Sequence, residues 1–232
     1  MNGREVRSLT LDRLGDLPDP CRGCLFWERD PVHARRAQEH GDPAQDKESW
    51  LSAALLEWGS VGRIAYVDGQ PVGYVTYAPA HLVPRVTGFP TAPVSGDAVL
   101  LMTAAVSPEH AGQGLGRVLV QAAAKDLHRR DIRAMEAFGR FGAPAGLRGG
   151  CVLPADFLSA VGFKTVREHP VWPRMRLDLR TMPSWREDVE AAIDRLRRQV
   201  LVPALSRGRD AGRTGVRRRP GPGLTTRTPR TP

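Results

Sequence analysis

The stretch Val99-Leu-Leu-Met-Thr-Ala-Ala-Val-Ser-Pro-Glu-His-Ala-Gly-Gln-Gly-Leu-Gly-Arg-Val-Leu-Val-Gln-Ala-Ala-Ala-Lys-Asp-Leu127 decides the fold. It reads in three parts. Val99 to Val106 is almost wholly apolar, short, and stopped by Ser107-Pro108, the pattern of a buried strand. His110 to Gly116 is a glycine-rich turn, with Gly112, Gly114 and Gly116 at alternate positions. Leu115, Val118, Leu119, Ala122, Ala123 and Leu127 then recur at helical spacing and give one apolar face. Strand, glycine loop and helix start in this order make an anion site. Glycines let the backbone approach closely and turn its N–H groups inward. The helix start adds unsatisfied donors and the positive end of a dipole. A pyrophosphate is the natural guest.

The spacing narrows the choice of guest. No Lys-Ser/Thr follows the last glycine, so the loop is not a P-loop. Gly112-x-Gly114-x-Gly116 is also not the G-x-G-x-x-G of a dinucleotide fold. The run Ala111-Gly112-Gln113-Gly114-Leu115-Gly116 resembles motif A of the GNAT acetyltransferase superfamily, Arg/Gln-x-x-Gly-x-Gly/Ala after a strand and opening a helix. Ala111 departs from it, standing where Arg or Gln is usual. The resemblance implies an α/β (α+β) fold, with a mixed, mostly antiparallel, splayed sheet flanked by helices. It implies acetyl-CoA as co-substrate, with its pyrophosphate held by Ala111, Gly112, Gln113, Gly114, Leu115, Gly116 and Arg117. The strand end Ala104-Ala105-Val106 would hold the pantetheine arm and the thioester carbonyl. The implied reaction is direct attack on the thioester by an amine of a small molecule, protein or peptide.

Outward from this stretch, the flanks read as the rest of such a fold. Val6, Ser8, Leu9 and Leu11 suggest a weak first strand and turn, broken by Pro18-Asp-Pro20, and residues 21–46 read as irregular. Asp46 or Ser49 can cap a helix in which Trp50, Leu51, Ala54, Leu55 and Trp58 share a face, ended by Gly59. Arg63–Val67, Asp68-Gly69 and Pro71–Tyr77 form a β-hairpin, because Asp-Gly suits a type I′ turn. Pro79 to Gly96 is a Pro/Gly-rich loop. Ile132–Phe138 is a strand, 139–150 a glycine-rich loop, Pro154–Val161 a short helix, and strands follow near Phe163–Arg167 and Pro173–Arg180.

Beyond residue 182 the character changes. Ser184 and Glu187 make a capping box, and Val189, Ile193, Leu196 and Val200 follow at helical steps. The helix expected over 183–205 either packs on its own domain or meets a second copy as a homodimer contact. Residues 206–232 carry eight Arg and one acidic residue without apolar periodicity, so a disordered basic tail is expected. The formal net charge of +9 is concentrated there; the rest holds 26 basic against 24 acidic residues. Nucleic acid is therefore expected to meet the chain only nonspecifically, through the tail. Arg outnumbers Lys by 31 to 3, the imprint of a GC-rich coding sequence. The length of 232 residues allows one domain, at about 1–182, with these appendages. No apolar run approaches the ~20 residues of a membrane helix, and none follows Arg4, Glu5 and Arg7 as in a signal peptide, so a cytoplasmic protein is expected.

Catalytic candidates are fewer. Transfer to an amine calls for a base, an acid for the departing thiolate, and donors for the carbonyl oxygen. Glu136 lies in the strand expected beside the cofactor cleft, where partial burial would raise its pKa and suit it to act as base; a solvated or ion-paired Glu is the competing reading. Asp97 is a second candidate, and a water relay a third. For the acid, the family pattern Asn-x-x-Ala-x-x-Leu-Tyr-x-x-x-Gly-Phe aligns on Gly162-Phe163 and puts Leu158 at the Tyr position and Cys151 at the Asn position. Leu158 cannot donate, while Cys151 would lie beside the pantetheine arm, with a pKa lowered by the following helix start. Cys21-Arg-Gly-Cys24 and the remote Cys151 supply three thiols, one short of a zinc set, so reduced thiols and no metal are expected. In the family the segment between the first two helices covers the acceptor site; residues 19–46 stand there, so the three thiols can share one pocket. A non-catalytic acyl-CoA-binding module is the rival to an enzyme.

Overall fold

The computed structural model of the protein describes residues 3–142 and 150–180. The helix expected at 183–205 and the basic tail at 206–232 lie outside the described residues. In chain order the elements are β1 (Arg4–Ser8), α1 (Asp19–Arg22), α2 (Pro31–His40), α3 (Pro43–Glu57), β2 (Gly62–Val67), β3 (Gln70–Ala78), β4 (Ala98–Val106), α4 (Leu115–Arg129), β5 (Ala134–Arg140), β6 (Leu153–Pro154), α5 (Ala155–Ala160), β7 (Lys164–Arg167) and β8 (Arg174–Asp178). Among the described residues no helix is long and apolar enough to cross a membrane.

The sheet runs β1-β2-β3-β4-β5-β8-β7, with β6 paired to β5 off this path. All neighbours are antiparallel except β4 with β5 and β5 with β6. This is the mixed, mostly antiparallel open sheet expected from the sequence. The β2–β3 hairpin turns on Asp68 and Gly69 at φ 52° and 78°, as a type I′ turn requires.

Strand alternation divides the core between the two faces of the sheet. Val99, Leu101, Met135 and Ala137 pack under α4 and α5 with Leu119, Ala123, Leu127 and Leu158. Leu100, Met102, Ile64, Tyr74 and Phe138 pack on the other face, under Leu9, Leu17, Trp27, Trp50 and Leu51. The Pro79–Gly96 loop belongs to that second layer: Val83, Val86, Phe89 and Val94 are buried in it.

Residues 21–46 correct the sequence reading. They are not irregular: α2 spans Pro31–His40, capped by the Asp30 carboxylate on the Val32 and His33 N–H groups. Its only buried residue is Ala37, so it shows no apolar stripe to find. The next helix, α3, starts at Pro43 on an Asp42 cap, ahead of the expected Asp46 or Ser49. Both starts use an Asp followed by Pro at the first helical position, where the missing N–H costs no hydrogen bond.

Two irregularities interrupt the centre of the sheet. Thr76 pairs with Thr103 but Tyr77 pairs with Leu101, so Met102 is an extra residue in β4. This bulge reverses the alternation. Val99 and Leu101 face α4, and past the bulge Ala104 and Val106 do so. The second irregularity is the β4–β5 pair itself. It holds only from Ala98–Leu100 against Ala134–Glu136, although β4 runs on to Val106 and β5 to Arg140. Past Leu100 the two parallel strands part.

Candidate active site

A cleft opens where β4 and β5 part. Its volume is about 330 Å³, and it is lined by Ala104 and Val106 of β4, by His110, Ala111, Gly112 and Gly114 of the loop, by the first turn of α4, and by Leu153, Pro154, Phe157, Ala160 and Val161. The loop conformation rests on glycine at two positions. Gly112 and Gly114 sit at φ 76° and 79°, in the left-handed region that favours glycine. Gly114 is the N-cap of α4 and has no side chain to bond the helix start, so those N–H groups remain open to a ligand in the cleft. Gly116 answers a different need: a Cβ there would lie 3.1 Å from the Phe157 ring. Arg117 reaches across to the Ala160 carbonyl and ties α4 to α5.

Most of the sequence-picked residues meet here. Ala104, Val106, Ala111, Gly112, Gly114, Leu115, Gly116 and Arg117 all line the cleft. Ala105 does not: it pairs opposite Tyr74 and packs into the other face of the sheet. Gln113 turns outward, where its Oε1 accepts from Arg4 at 2.9 Å. Sequence reasoning missed His110, whose Nδ1 lies 3.0 Å from the Ser107 hydroxyl, and the apolar wall of Leu153, Pro154 and Phe157. His110 directly precedes the glycine run, which was the signal available.

Glu136 and Asp97 belong to a different arrangement. Glu136 is fully buried at the last β4–β5 pair, with Arg174 at 3.0 Å, Arg176 at 3.1 Å and the Ser95 N–H at 3.1 Å. The ion-paired alternative is the one found. Asp97 makes a two-pronged bond to the same Arg176 at 2.8 and 2.9 Å, which holds its carboxyl below the ordinary range. Asp97, tied to arginine in this way, is a weak proton acceptor. Leu158, at the position the family fills with Tyr, is buried in the core under α5.

The inner end of the gap is closed from the opposite face. The Cys151 carbonyl accepts from the Thr103 hydroxyl at 2.7 Å and from the Trp27 indole N–H at 2.9 Å. Trp27 stacks on Phe89 and Phe89 on Phe138, with centroids 5.3 and 4.2 Å apart. Here the three thiols come together. Cys24 Sγ and Cys151 Sγ are 3.2 Å apart, both thiols are free, and Cys21 lies near Cys24 and Tyr74. Either sulfur can donate in this contact, and sharing the proton between them holds Cys24 below the ordinary thiol range in spite of burial. The same bond, with burial, pushes Cys151 up. Cys151, its pKa expected to be lowered by the start of the following helix, stands four residues before that six-residue helix and faces Cys24. Lys47, buried and paired with Glu28, donates to the Cys24 carbonyl at 2.9 Å. Among the described residues no group of three or more His, Cys, Asp or Glu side chains is arranged to hold a metal ion.

A parallel pair that parts over a glycine-rich helix start defines an acetyltransferase-type fold. The Acetyltransferase (GNAT) family model matches residues 24–141, just over half of the chain, and the chain belongs to that family. No curated protein sequence matches it. Among solved structures, the PaiA N-acetyltransferase of Thermoplasma acidophilum, in complex with coenzyme A, is similar with a TM-score of 0.51 and 14% identity, over 76% of this chain and 99% of that one. An N-acetyltransferase of Staphylococcus aureus Mu50 follows at 0.49 and 12%, over 76% and 99%. A GNAT family acetyltransferase of Brucella melitensis, in complex with acetyl-CoA, gives 0.43 and 14%, over 76% and 88%. The likeness to the Thermoplasma protein is one of fold.

Proposed function

We propose that the protein transfers an acetyl group from acetyl-CoA to an amine, with the cofactor in the cleft between β4 and β5. One observation carries the reading. Past Leu100 the β5-facing edge of β4 has no strand partner among the described residues, and this edge runs directly to an uncapped helix start. Backbone groups left unpaired in this way call for a ligand with alternating amide donors and acceptors. The pantetheine arm of CoA is such a ligand, and its pyrophosphate fits the open N–H groups at Gly112–Gly116. The apolar wall of Leu153, Pro154 and Phe157 covers the methylene segments.

In this reading the amine attacks the thioester carbonyl directly. Glu136 and Asp97 act as counterions of Arg174 and Arg176, so the amine proton passes to water. With Leu158 in the core, the departing CoA leaves as its thiolate.

The test is CoA release over a panel of amines, beside a thermal shift with acetyl-CoA alone. A ligand that binds only the folded state raises the melting temperature by mass action. The native chain should show the shift and release CoA with at least one amine. Gly114→Asp should lose the shift, since a carboxylate at this φ of 79° both strains the loop and repels a pyrophosphate. An unchanged shift in that variant would place the cofactor elsewhere. A shift without turnover on any amine would favour a non-catalytic acyl-CoA-binding module.

A further inference from the structure

The thiols at the inner end of the cleft are more constrained than cysteines buried as small hydrophobes need be. Cys24 follows α1, and Cys151 lies 127 positions away, next to β6. Their sulfurs are nevertheless 3.2 Å apart. Each main chain is pinned by a separate set of bonds. The Cys151 carbonyl is held by Thr103 and Trp27, and the Cys24 carbonyl by Lys47, which Glu28 holds in turn. Both residues are half-buried.

The groups facing the pair divide their roles. The Cys151 thiol, the Phe26 N–H and Lys47 favour a thiolate on Cys24, against burial and the Glu28 carboxylate. Cys21 is a partly buried thiol near the Tyr74 hydroxyl, its pKa raised chiefly by burial. The Lys47 ammonium, which donates to the Cys24 carbonyl at 2.9 Å, lies on the Cys24 side of the pair, so Cys24 is taken as the attacking sulfur and Cys151, 3.2 Å away, as the resolving one.

We propose that Cys24 and Cys151 form a modification site, a dithiol that hydroperoxides convert reversibly to a disulfide. The Cys24 thiolate attacks the peroxide, the O–O bond breaks, and the alcohol leaves with a proton from solvent. Cys24 has then lost two electrons and is a sulfenic acid. The Cys151 sulfur attacks it, the S–O bond breaks, and hydroxide leaves as water with the Cys151 proton. A dithiol reductant restores both thiols by exchange.

The bond would tie the segment before α2 to the strand that walls the cleft, because Cys151 leads within three residues to Leu153 and Pro154. That it also governs cofactor binding rests on the proposed placement of acetyl-CoA in that cleft.

The experiment treats the full chain with hydrogen peroxide, then counts free thiols and maps the linkage by mass spectrometry, with metal content measured first. Two of the three thiols should disappear, in a Cys24–Cys151 linkage within one chain, and return with dithiothreitol. Cys21→Ser should leave this result unchanged. Cys151→Ser should stop the reaction at a Cys24 sulfenic acid trapped by dimedone, and Cys24→Ser should leave Cys151 a thiol. A Cys21–Cys24 linkage, a link between chains, no loss of thiols, or stoichiometric zinc on the thiols would each overturn the proposal. For the coupling, the acetyl-CoA thermal shift should be smaller in the oxidised protein than in the reduced one; equal shifts would overturn it. Absence of any shift in the reduced protein would overturn the acetyl-CoA reading instead, while the linkage map still decides the dithiol.

Discussion

Glu136 shows what a residue's place in a strand discloses and what it hides. Its place in the strand that pairs with β4 was legible, because the run from Ile132 to Phe138 reads as a strand. Its partners were not. Arg174 and Arg176 come from β8, which joins β5 only after α5 and β7 have intervened, and Glu136 pairs opposite Arg176 in that register. Removing one member of a buried ion pair leaves the other uncompensated. Glu136→Gln should therefore cost about 3 kcal/mol of stability, near the low end for breaking such a pair. Urea unfolding measures this, and acetylation per folded molecule should stay close to the native rate. A variant of native stability that has lost turnover would return Glu136 to the role of base. The thiols show the same limit. The sequence placed the three thiols in one pocket but did not say which two meet: the contact is between Cys24 and Cys151, brought together by the packing of the 19–30 segment on the sheet.

At the level of elements, what could be read was whatever repeats. The apolar stripe of α4 and the Asp-Gly turn of the hairpin follow from local rules, and both are where the sequence puts them. The bulge at Met102 follows from no repeat. It lies inside a run so uniformly apolar that either face could be the buried one, and only the pairing with β3 shows the reversal. The reversal aims Thr103 at Cys151 and Trp27, and Ala104 and Val106 at the cleft. Thr103→Val keeps the shape and removes the hydroxyl, leaving the Cys151 carbonyl with the Trp27 bond alone. We expect a loss of about 1 kcal/mol, the usual net worth of one such bond, and a raised KM for acetyl-CoA. An unchanged KM would separate this seam from the cleft. For α3, Asp42→Ala removes the carboxylate that accepts from Ala44 and Gln45. The cost should be about 1 kcal/mol by chemical denaturation, and a stability equal to the native chain would mean that water caps the helix equally well.

Across the described molecule the three tyrosines share one condition. Burial is the first cause that raises each of them: Tyr66 to about 12, Tyr77 further, and Tyr74 well above its ordinary value. Tyr66 donates to Asp16 and Tyr77 to Asp126, while Tyr74 sits against the thiols, so ionisation would also meet negative or proton-accepting neighbours. The chain contains no other tyrosine. In the unfolded chain all three should ionise near the free value of about 10. The unfolded state therefore sheds protons first as pH rises, and stability falls with pH wherever it binds fewer protons than the folded state. Stability from this source is complete below about pH 10. It is lost progressively above that, with the Tyr66 part gone past about 12. A spectrophotometric titration of the folded protein should accordingly show no tyrosinate at the ordinary midpoint. Its tyrosinate absorbance should rise together with the loss of circular dichroism, as one alkaline unfolding step. Tyr66→Phe should make the alkaline loss of stability less steep, since one of the shifted groups is gone. A tyrosine that titrates near pH 10 while the circular dichroism is still native would show that its hydroxyl is solvated, and that the packing described around it is looser than these contacts imply.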